Sequence, residues 1–216
     1  MAKLFVSDKD ESVRMFKSGF MELFSKVHFS VPLFLYLPVI GYLLYLSFFV
    51  YGLSILTTSS YFVLGVFIWS ITEYLLHRFV FHYHPTTKWG QRIHFIMHGV
   101  HHDYPNDSLR LVLPPSVSIP LAFLFFFLFK AVAGNVLAAP LFGGFGLGYL
   151  FYDISHYAIH HFKIDNKLWT ILKEHHMRHH YVDPEHGYGV SSTIWDHVMG
   201  TMFKSAKKEK VNSWLE

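Results

Sequence analysis

The sequence contains no cysteine and few charged side chains. Without cysteine the chain cannot form a disulfide, a thiolate zinc site or a cysteine-ligated iron–sulfur cluster. Charged residues make up only 15% of the 216 residues, whereas 52% are hydrophobic and 19% are aromatic. The basic residues form no extended run with interleaved stacking positions, so the net charge of +3 does not indicate a nucleic-acid partner. Such a composition leaves too little polar surface for an ordinary soluble protein.

Two long segments almost lack charge. Residues 31–72 contain no Asp, Glu, Lys or Arg, and residues 111–152 contain only Lys130. As a helix, each segment would be about 63 Å long, roughly twice the thickness of the hydrocarbon core of a bilayer. Each segment therefore predicts a hairpin of two membrane helices. The turns are expected near residues 56–60, where Thr57 to Ser60 break the apolar pattern, and near residues 130–135. The alternative, a buried core helix, is disfavoured by this length.

The distribution of basic residues predicts the topology. All but one of the 18 Lys and Arg lie before residue 31, between residues 73 and 110, or after residue 152. Each hairpin begins and ends on the same side, so these regions share one membrane face, and their basic excess marks it as cytoplasmic. The predicted fold class is all-α integral membrane: four transmembrane helices in two hairpins, with both termini cytoplasmic and a cytoplasmic cap of histidine-rich helices. Residues 1–216 are interpreted as a single domain, entered through an interfacial helix over residues 11–29.

Ten of the 17 histidines form four clusters. They are His77 and His82; His98, His101 and His102; His156 and His160; and His176, His179 and His180. Residues three and four apart are neighbours on a helix, so the last three clusters each place imidazoles on one helix face. The first pair is about 140° out of phase on an ideal α-helix and requires a helix end or a second ion.

Neutral imidazole is a common ligand of iron, zinc and copper. Ten imidazoles, at five or six nitrogens per ion, suit two metals. Carboxylates that accept a hydrogen bond from the other ring nitrogen should orient these imidazoles. The candidates, chosen because they lie close to the clusters in sequence, are Glu73, Asp103, Asp153, Asp183 and Asp196.

Clusters at the ends of apolar helices favour oxygen chemistry on a lipid. Two iron ions could activate O2 towards an unactivated C–H bond, whereas zinc has no redox chemistry. Hydrolysis by zinc is the competing interpretation, but the chain lacks His-Glu-x-x-His and has too many histidines for one hydrolytic ion. A metal transporter or sensor is a further alternative, yet it would place ionisable residues at mid-membrane, where both hairpins lack them.

Longer stretches around the clusters resemble the fatty acid hydroxylase superfamily, and within it the fatty acid 2-hydroxylases. They are Glu73 to His82, Met97 to His102 with Pro105, Asp107 and Arg110 to Pro115, Tyr152 to Tyr157, and Gly187 to Ser192. The likeness covers about residues 71–201, the expected catalytic core. Sterol desaturases and carotenoid hydroxylases share the histidine motifs and remain an alternative activity.

The resemblance implies that the ten clustered histidines bind two metals. The other seven histidines are expected not to be ligands: His28, His84, His94, His161, His175, His186 and His197. The resemblance also implies that O2 is used to hydroxylate C2 of a sphingolipid acyl chain or of a free fatty acid. Iron is the expected metal, although zinc could replace it during purification because zinc binds nitrogen sites more tightly than ferrous iron.

Substrate and partner predictions are less direct. Arg110 could anchor a carboxylate or amide headgroup, and Tyr152, Tyr157 or Trp195 could line the substrate path. The cytochrome b5 motif His-Pro-Gly-Gly of many eukaryotic relatives is missing, so electrons are expected from a separate donor such as cytochrome b5, a ferredoxin or a reductase. The expected location is a bacterial cytoplasmic membrane, or the endoplasmic reticulum if the source is eukaryotic.

Overall fold

The computed structural model describes residues 4–203, which form helices and connecting segments without a β-strand. Three short π-helical turns interrupt the α-helices. The α-helices are α1 (Gly19–Leu23), α2 (Ser30–Tyr45), α3 (Ile55–Leu75), α4 (Lys88–His94), α5 (Val100–Asp103), α6 (Pro115–His161), α7 (Lys167–Tyr181) and α8 (Ile194–Val198). The π-helical turns are Leu46–Val50, Leu76–Phe81 and Phe95–Gly99. The predicted cytoplasmic position of both chain termini concerns residues outside the described range.

Each of two compact units is built from separate stretches of chain. The apolar unit comprises residues 16–72 and 112–154, and the histidine unit comprises residues 4–15, 73–111 and 155–203. Three helical segments are long and apolar enough to cross a membrane: Ser30–Val50, Ile55–Phe81 and Pro115–His161.

The first apolar segment turns earlier than the sequence pattern predicted. Its break covers residues 51–54, and residues 56–60 already belong to α3, so the predicted turn position is wrong. Gly52 adopts a φ of 60°, a left-handed conformation that glycine tolerates best. The Ser54 hydroxyl then accepts the Thr57 N–H at 3.1 Å, which is the role of a helix N-cap. The Thr and Ser residues that suggested a loop therefore follow the cap.

The second apolar segment reverses direction within α6. Gly134 has φ 76° and ψ 170°, a non-helical conformation, and it lies inside the predicted turn at 130–135. Phe125 and Phe145 have ring centroids 4.7 Å apart, although a straight helix would separate them by about 30 Å at 1.5 Å per residue. The two arms of α6 thus pack side by side as a hairpin.

Aromatic side chains fill the core of the apolar unit. The Trp69 ring lies 5.1 Å from Phe145 and 5.3 Å from Tyr149 in edge-to-face arrangements. Small residues bring the backbones together: a Cβ on Gly144 would lie 1.8 Å from the Phe62 carbonyl oxygen. This close approach through glycine is the kind of packing that stabilises helices in lipid.

The predicted helix over residues 11–29 is much shorter in the structure. Only Gly19–Leu23 is helical, starting where the Ser18 side chain accepts the Met21 N–H. The Glu22 carboxylate accepts the Phe16 N–H at 2.9 Å, which holds the preceding chain outside the helix. Phe20 and Leu23 are 73% and 71% exposed, so the apolar face that motivated the prediction is present on one turn.

Candidate metal centre

The first histidine pair lies on a π-helical turn at the end of α3. The Leu76–Phe81 segment pairs each N–H with the carbonyl five residues earlier, and His82 N–H donates to the His77 carbonyl at 3.1 Å. Residues five apart therefore become neighbours, which an α-helix would not allow. His82 caps this turn, so the phase difference seen in the sequence is resolved by a helix end rather than by a second ion.

The other clusters lie on the helices predicted for them. The Lys88–Asp103 stretch is helical throughout, with His98 in the π-helical turn Phe95–Gly99 and His101 and His102 in α5. His156 and His160 lie in the last two turns of α6, and α7 carries the fourth cluster.

The ten histidines converge as two groups of five. In each group the five candidate ligand nitrogens all lie within 4.8 Å of one another. The first histidine group is His77, His82, His98, His102 and His179. The second histidine group is His101, His156, His160, His176 and His180. The seven histidines expected not to be ligands belong to neither group.

Each of the two clusters with three histidines, the second and the fourth, contributes ligands to both groups. His98 and His102, four residues apart, point into the first group, while His101 between them points into the second. The fourth cluster reverses this division, because His176 and His180 belong to the second group and His179 to the first. The two groups are therefore built from shared helices.

Spacing between nitrogen atoms tests whether the groups suit a metal. His77 Nε2 lies 3.1 Å from His98 Nε2, which in turn lies 3.1 Å from His102 Nε2. In the second group, His101 Nε2 lies 2.8 Å from His156 Nε2. Two adjacent nitrogens bound at about 2.1 Å to one ion with right-angled geometry would be about 3.0 Å apart. The donor sets fit one transition-metal ion each.

Burial keeps these imidazoles in the form that binds metal. Removal from water lowers the pKa of His98, His101 and His102 well below the usual value. The same cause, followed by neighbouring imidazoles, lowers the pKa of His176 and His180 well below it. Neutral imidazole has the free lone pair that a metal needs.

Backbone carbonyls orient two members of the first group. His77 Nδ1 donates to the Tyr188 carbonyl at 2.5 Å, and His179 Nδ1 donates to the His186 carbonyl at 2.8 Å. Both acceptors lie in the segment between α7 and α8, and the sequence patterns did not predict a role for this segment at the metal centre. Its Gly187, with φ 74°, and Gly189 were the available signal.

The carboxylates predicted to orient the imidazoles accept hydrogen bonds from backbone N–H groups and from other side chains. Glu73 and Asp196 bind the loop that carries the two carbonyls. Asp153 accepts from the Leu113 N–H and the Tyr149 hydroxyl, both at 3.1 Å. Asp183 accepts from His186 Nδ1 at 2.9 Å.

Asp103 acts on the N-terminal segment through its backbone. Its carbonyl accepts the N–H groups of Val6 and Ser7 at 2.8 and 3.1 Å. Partial burial raises the pKa of its carboxyl group.

The predicted substrate residues lie in different settings. Arg110 is buried and donates to Asp107 Oδ2 at 3.1 Å. Tyr157 stacks on His161 with ring centroids 4.6 Å apart, Tyr152 packs 5.8 Å from Trp69, and Trp195 lies half-buried in α8. Their substrate roles remain predictions.

An all-helical protein with long apolar helices and two five-histidine groups has the character of a membrane metalloenzyme. The fatty acid hydroxylase family pattern matches residues 62–201, which is more than half of the 216 residues. The chain belongs to the fatty acid hydroxylase family.

Named relatives support this membership along most of the chain. The dihydroceramide fatty acyl 2-hydroxylase FAH1 of Arabidopsis thaliana is 39% identical over 93% of this chain and 85% of its own length. The fatty acid 2-hydroxylase of Homo sapiens is 35% identical over 88% of this chain and 56% of its own length. A solved structure described as full-length scs7p, with only the hydroxylase domain visible, has a TM-score of 0.81 at 35% identity. That likeness covers 86% of this chain and 70% of the other.

Proposed function

We propose that this protein is a di-iron monooxygenase that 2-hydroxylates long fatty acyl chains. The two buried groups of five imidazoles carry the proposal, since they provide two separate all-nitrogen sites in one compact unit. Family membership and relatives named as fatty acid or dihydroceramide fatty acyl 2-hydroxylases support the reaction and the substrate class. The substrate is accordingly the acyl chain of a sphingolipid or a free fatty acid.

The metal sites are assigned to the ten histidines. The first histidine group would hold one ion and the second histidine group the other. Bound iron supplies the redox chemistry that activates O2, which zinc lacks. The balanced reaction inserts one oxygen atom of O2 into the C–H bond at C2, while two electrons and two protons reduce the other atom to water.

The chain's own contribution is to hold the imidazoles neutral, oriented and shielded. His176, His179 and His180 are at most 1% exposed, which excludes water from the ligands. Hydrogen bonds from Nδ1 to loop carbonyls leave Nε2 of His77 and His179 directed at the centre of the first group. Because hydrogen bonds to the second ring nitrogen fix the tautomer and raise ligand basicity, these contacts prepare the site before substrate arrives.

The membrane arrangement follows from the apolar helices. Ser30–Val50 and Ile55–Phe81 account for two crossings, and the reversal at Gly134 divides Pro115–His161 into two more. We place four crossings in the membrane, with the histidine unit on the cytoplasmic face and residues 1–216 forming one embedded domain. A bacterial cytoplasmic membrane is the proposed location, with the endoplasmic reticulum as the eukaryotic equivalent, and a separate protein supplies electrons.

Lipid profiling tests the proposal. A strain expressing the wild-type chain should accumulate acyl chains that carry one added oxygen at C2, and His101→Ala should abolish them because it breaks the second histidine group. His28→Ala is the matched control, since the His28 side chain is exposed, hydrogen-bonds to the Ser30 hydroxyl and belongs to neither histidine group. Altered sterol or carotenoid rings in place of hydroxylated acyl chains would assign the alternative oxidase activity, and unchanged lipids would overturn the proposal.

A further inference from the structure

A short loop connects two buried carboxylates to the first histidine group. The loop, Gly187–Ser192, follows His186, whose carbonyl binds His179 Nδ1, and contains Tyr188, whose carbonyl binds His77 Nδ1. Both imidazoles belong to the first histidine group. Their orientation therefore depends on where the loop backbone lies.

Four consecutive N–H groups of this loop bind carboxylate oxygens. Asp196 Oδ1 accepts the Tyr188 N–H at 2.9 Å and Asp196 Oδ2 accepts the Gly189 N–H at 2.8 Å. Glu73 Oε1 accepts the Val190 N–H at 2.9 Å and the Ser191 N–H at 2.8 Å. Glu73 Oε2 also accepts the Ser191 hydroxyl.

One peptide unit joins Asp196 to His77. The N–H of Gly189 and the C=O of Tyr188 belong to the same peptide group, so Asp196 binds one end of it and His77 binds the other. Hydrogen bonds in such a chain polarise one another in a low-dielectric interior. The arrangement is a carboxylate–histidine pair with a peptide group inserted between its members.

The carboxylates are themselves fixed. Asp196 is fully buried and Glu73 is 4% exposed, so each charge is stabilised by hydrogen bonds to its ionised form. Asp196 also accepts from the Thr201 hydroxyl at 2.7 Å and from His175 Nε2 at 3.0 Å. Thr201 Oγ1 in turn lies 2.8 Å from the Tyr74 hydroxyl.

The glycine of this peptide group is required by sterics. A Cβ on Gly189 would lie 2.0 Å from the Ser192 carbonyl oxygen and 2.9 Å from Asp196 Oδ2. A larger residue would displace the loop even with both carboxylates intact.

We propose that Glu73 and Asp196 are positioning residues for the first metal, which is the ion bound by the first histidine group. They act on His77 and His179 through the loop backbone. This inference rests on the proposed metal binding by the ten histidines. It assigns the two carboxylates to one metal of the pair, because the carbonyls of Tyr188, in the loop, and of His186, directly before it, bind imidazoles of the first histidine group. Loss of either carboxylate should therefore weaken the binding of the first metal and leave the binding of the second metal unchanged.

The test measures metal dissociation in single-site backgrounds. His101→Ala breaks the second histidine group and leaves the first metal, whereas His98→Ala breaks the first group and leaves the second metal. Glu73→Gln or Asp196→Asn is added to each background in the purified full chain. Loss of zinc or ferrous iron to a chelator is then followed over time by metal analysis.

In the His101→Ala background, we expect Glu73→Gln or Asp196→Asn to make metal dissociation about 10–100-fold faster. This is the factor by which loss of an outer-shell partner typically lowers metal affinity. Dissociation in the His98→Ala background should be unchanged, which also shows that the chain is folded. Gly189→Ala should reproduce the selective loss without removing a carboxylate. Asp153→Asn is the matched control, since Asp153 is equally buried and binds a backbone N–H but no loop residue; it should not accelerate loss of the first metal.

Three results would overturn the inference. Equal acceleration in both backgrounds would mean that the carboxylates only support the fold, and no acceleration in either would mean that the loop needs neither. If Asp153→Asn accelerated dissociation of the first metal as much as Glu73→Gln or Asp196→Asn, the effect would not be specific to the carboxylates that bind the loop. A wild-type chain that binds fewer than two metals would instead contradict the proposed function, and with it the premise of this inference.

Discussion

The buried ion pair between Asp107 and Arg110 allows a quantitative test of the histidine unit. Both side chains are only 2% exposed, and Arg110 donates to Asp107 Oδ2 at 3.1 Å. Asp107 Oδ1 accepts the Ser12 hydroxyl at 2.5 Å and the Leu109 N–H at 3.1 Å. Asp107→Asn would keep Oδ1 for these two donors and turn an NH2 group towards the guanidinium, so donor would face donor.

The expected cost is large because the buried Arg110 guanidinium loses the carboxylate with which it forms an ion pair. Removing one member of such a pair costs about 3–5 kcal/mol. For a chain of this size that corresponds to roughly 6–20 °C in Tm. Replacing Arg110 as well, in Asp107→Asn/Arg110→Met, should recover most of the loss, since the double variant leaves no buried charge without its counter-charge at this site.

Unfolding of the detergent-solubilised protein by urea, followed by tryptophan fluorescence, measures these differences. Lys26→Gln is the matched control, because Lys26 pairs with Glu22 at 3.5 Å while one-third exposed, and exposed pairs contribute up to about 1 kcal/mol. If Asp107→Asn costs no more than Lys26→Gln, the pair is not buried as described. If the double variant is as unstable as the single one, the stranded charge is not the cause.

Other predictions concern helix packing and pH. Gly144→Ala should destabilise the protein by about 1–3 kcal/mol through overpacking, since its Cβ would contact the Phe62 backbone. Gly41→Ala is the control and should leave the stability unchanged, because nothing lies within 4 Å of its Cβ. Equal urea midpoints for the two variants would contradict this prediction. The metal-free protein should keep full stability above about pH 6.5 and lose it as the pH falls below that value. The reason is that imidazoles with lowered pKa stay neutral in the folded chain while the unfolded chain takes up protons. Urea unfolding of protein freed of metal by a chelator, at pH 7.5 and 5.5, measures this change in stability. A stability that rises on acidification would refute the prediction.

Much of the fold follows from local sequence patterns. The length of the apolar runs predicted helical hairpins, and histidine spacings of three and four predicted shared helix faces; α7 and the Lys88–Asp103 helical stretch agree with these predictions. The turn at Gly52 was missed because Thr57 to Ser60 appeared more loop-like than the single glycine. Their polar side chains are compatible with a helix once Ser54 caps it.

The π-helical turn under His77 and His82 could not be predicted from an α-helical repeat. Its i+5 pairing brings together residues that an α-helix would separate. The loop at the metal centre was missed for a different reason. Its contribution comes from backbone carbonyls and N–H groups, which every residue carries, so only the two glycines distinguished it. The carboxylates Glu73 and Asp196 were found from their proximity to clusters in sequence, but their contacts with the loop depend on tertiary packing.

The metal content of anaerobically purified protein shows whether each histidine group holds one ion. We expect two iron ions per wild-type chain, one in His98→Ala and one in His101→Ala, because each substitution breaks a different histidine group. A wild-type chain with one ion or none, or variants that both retain two, would contradict it.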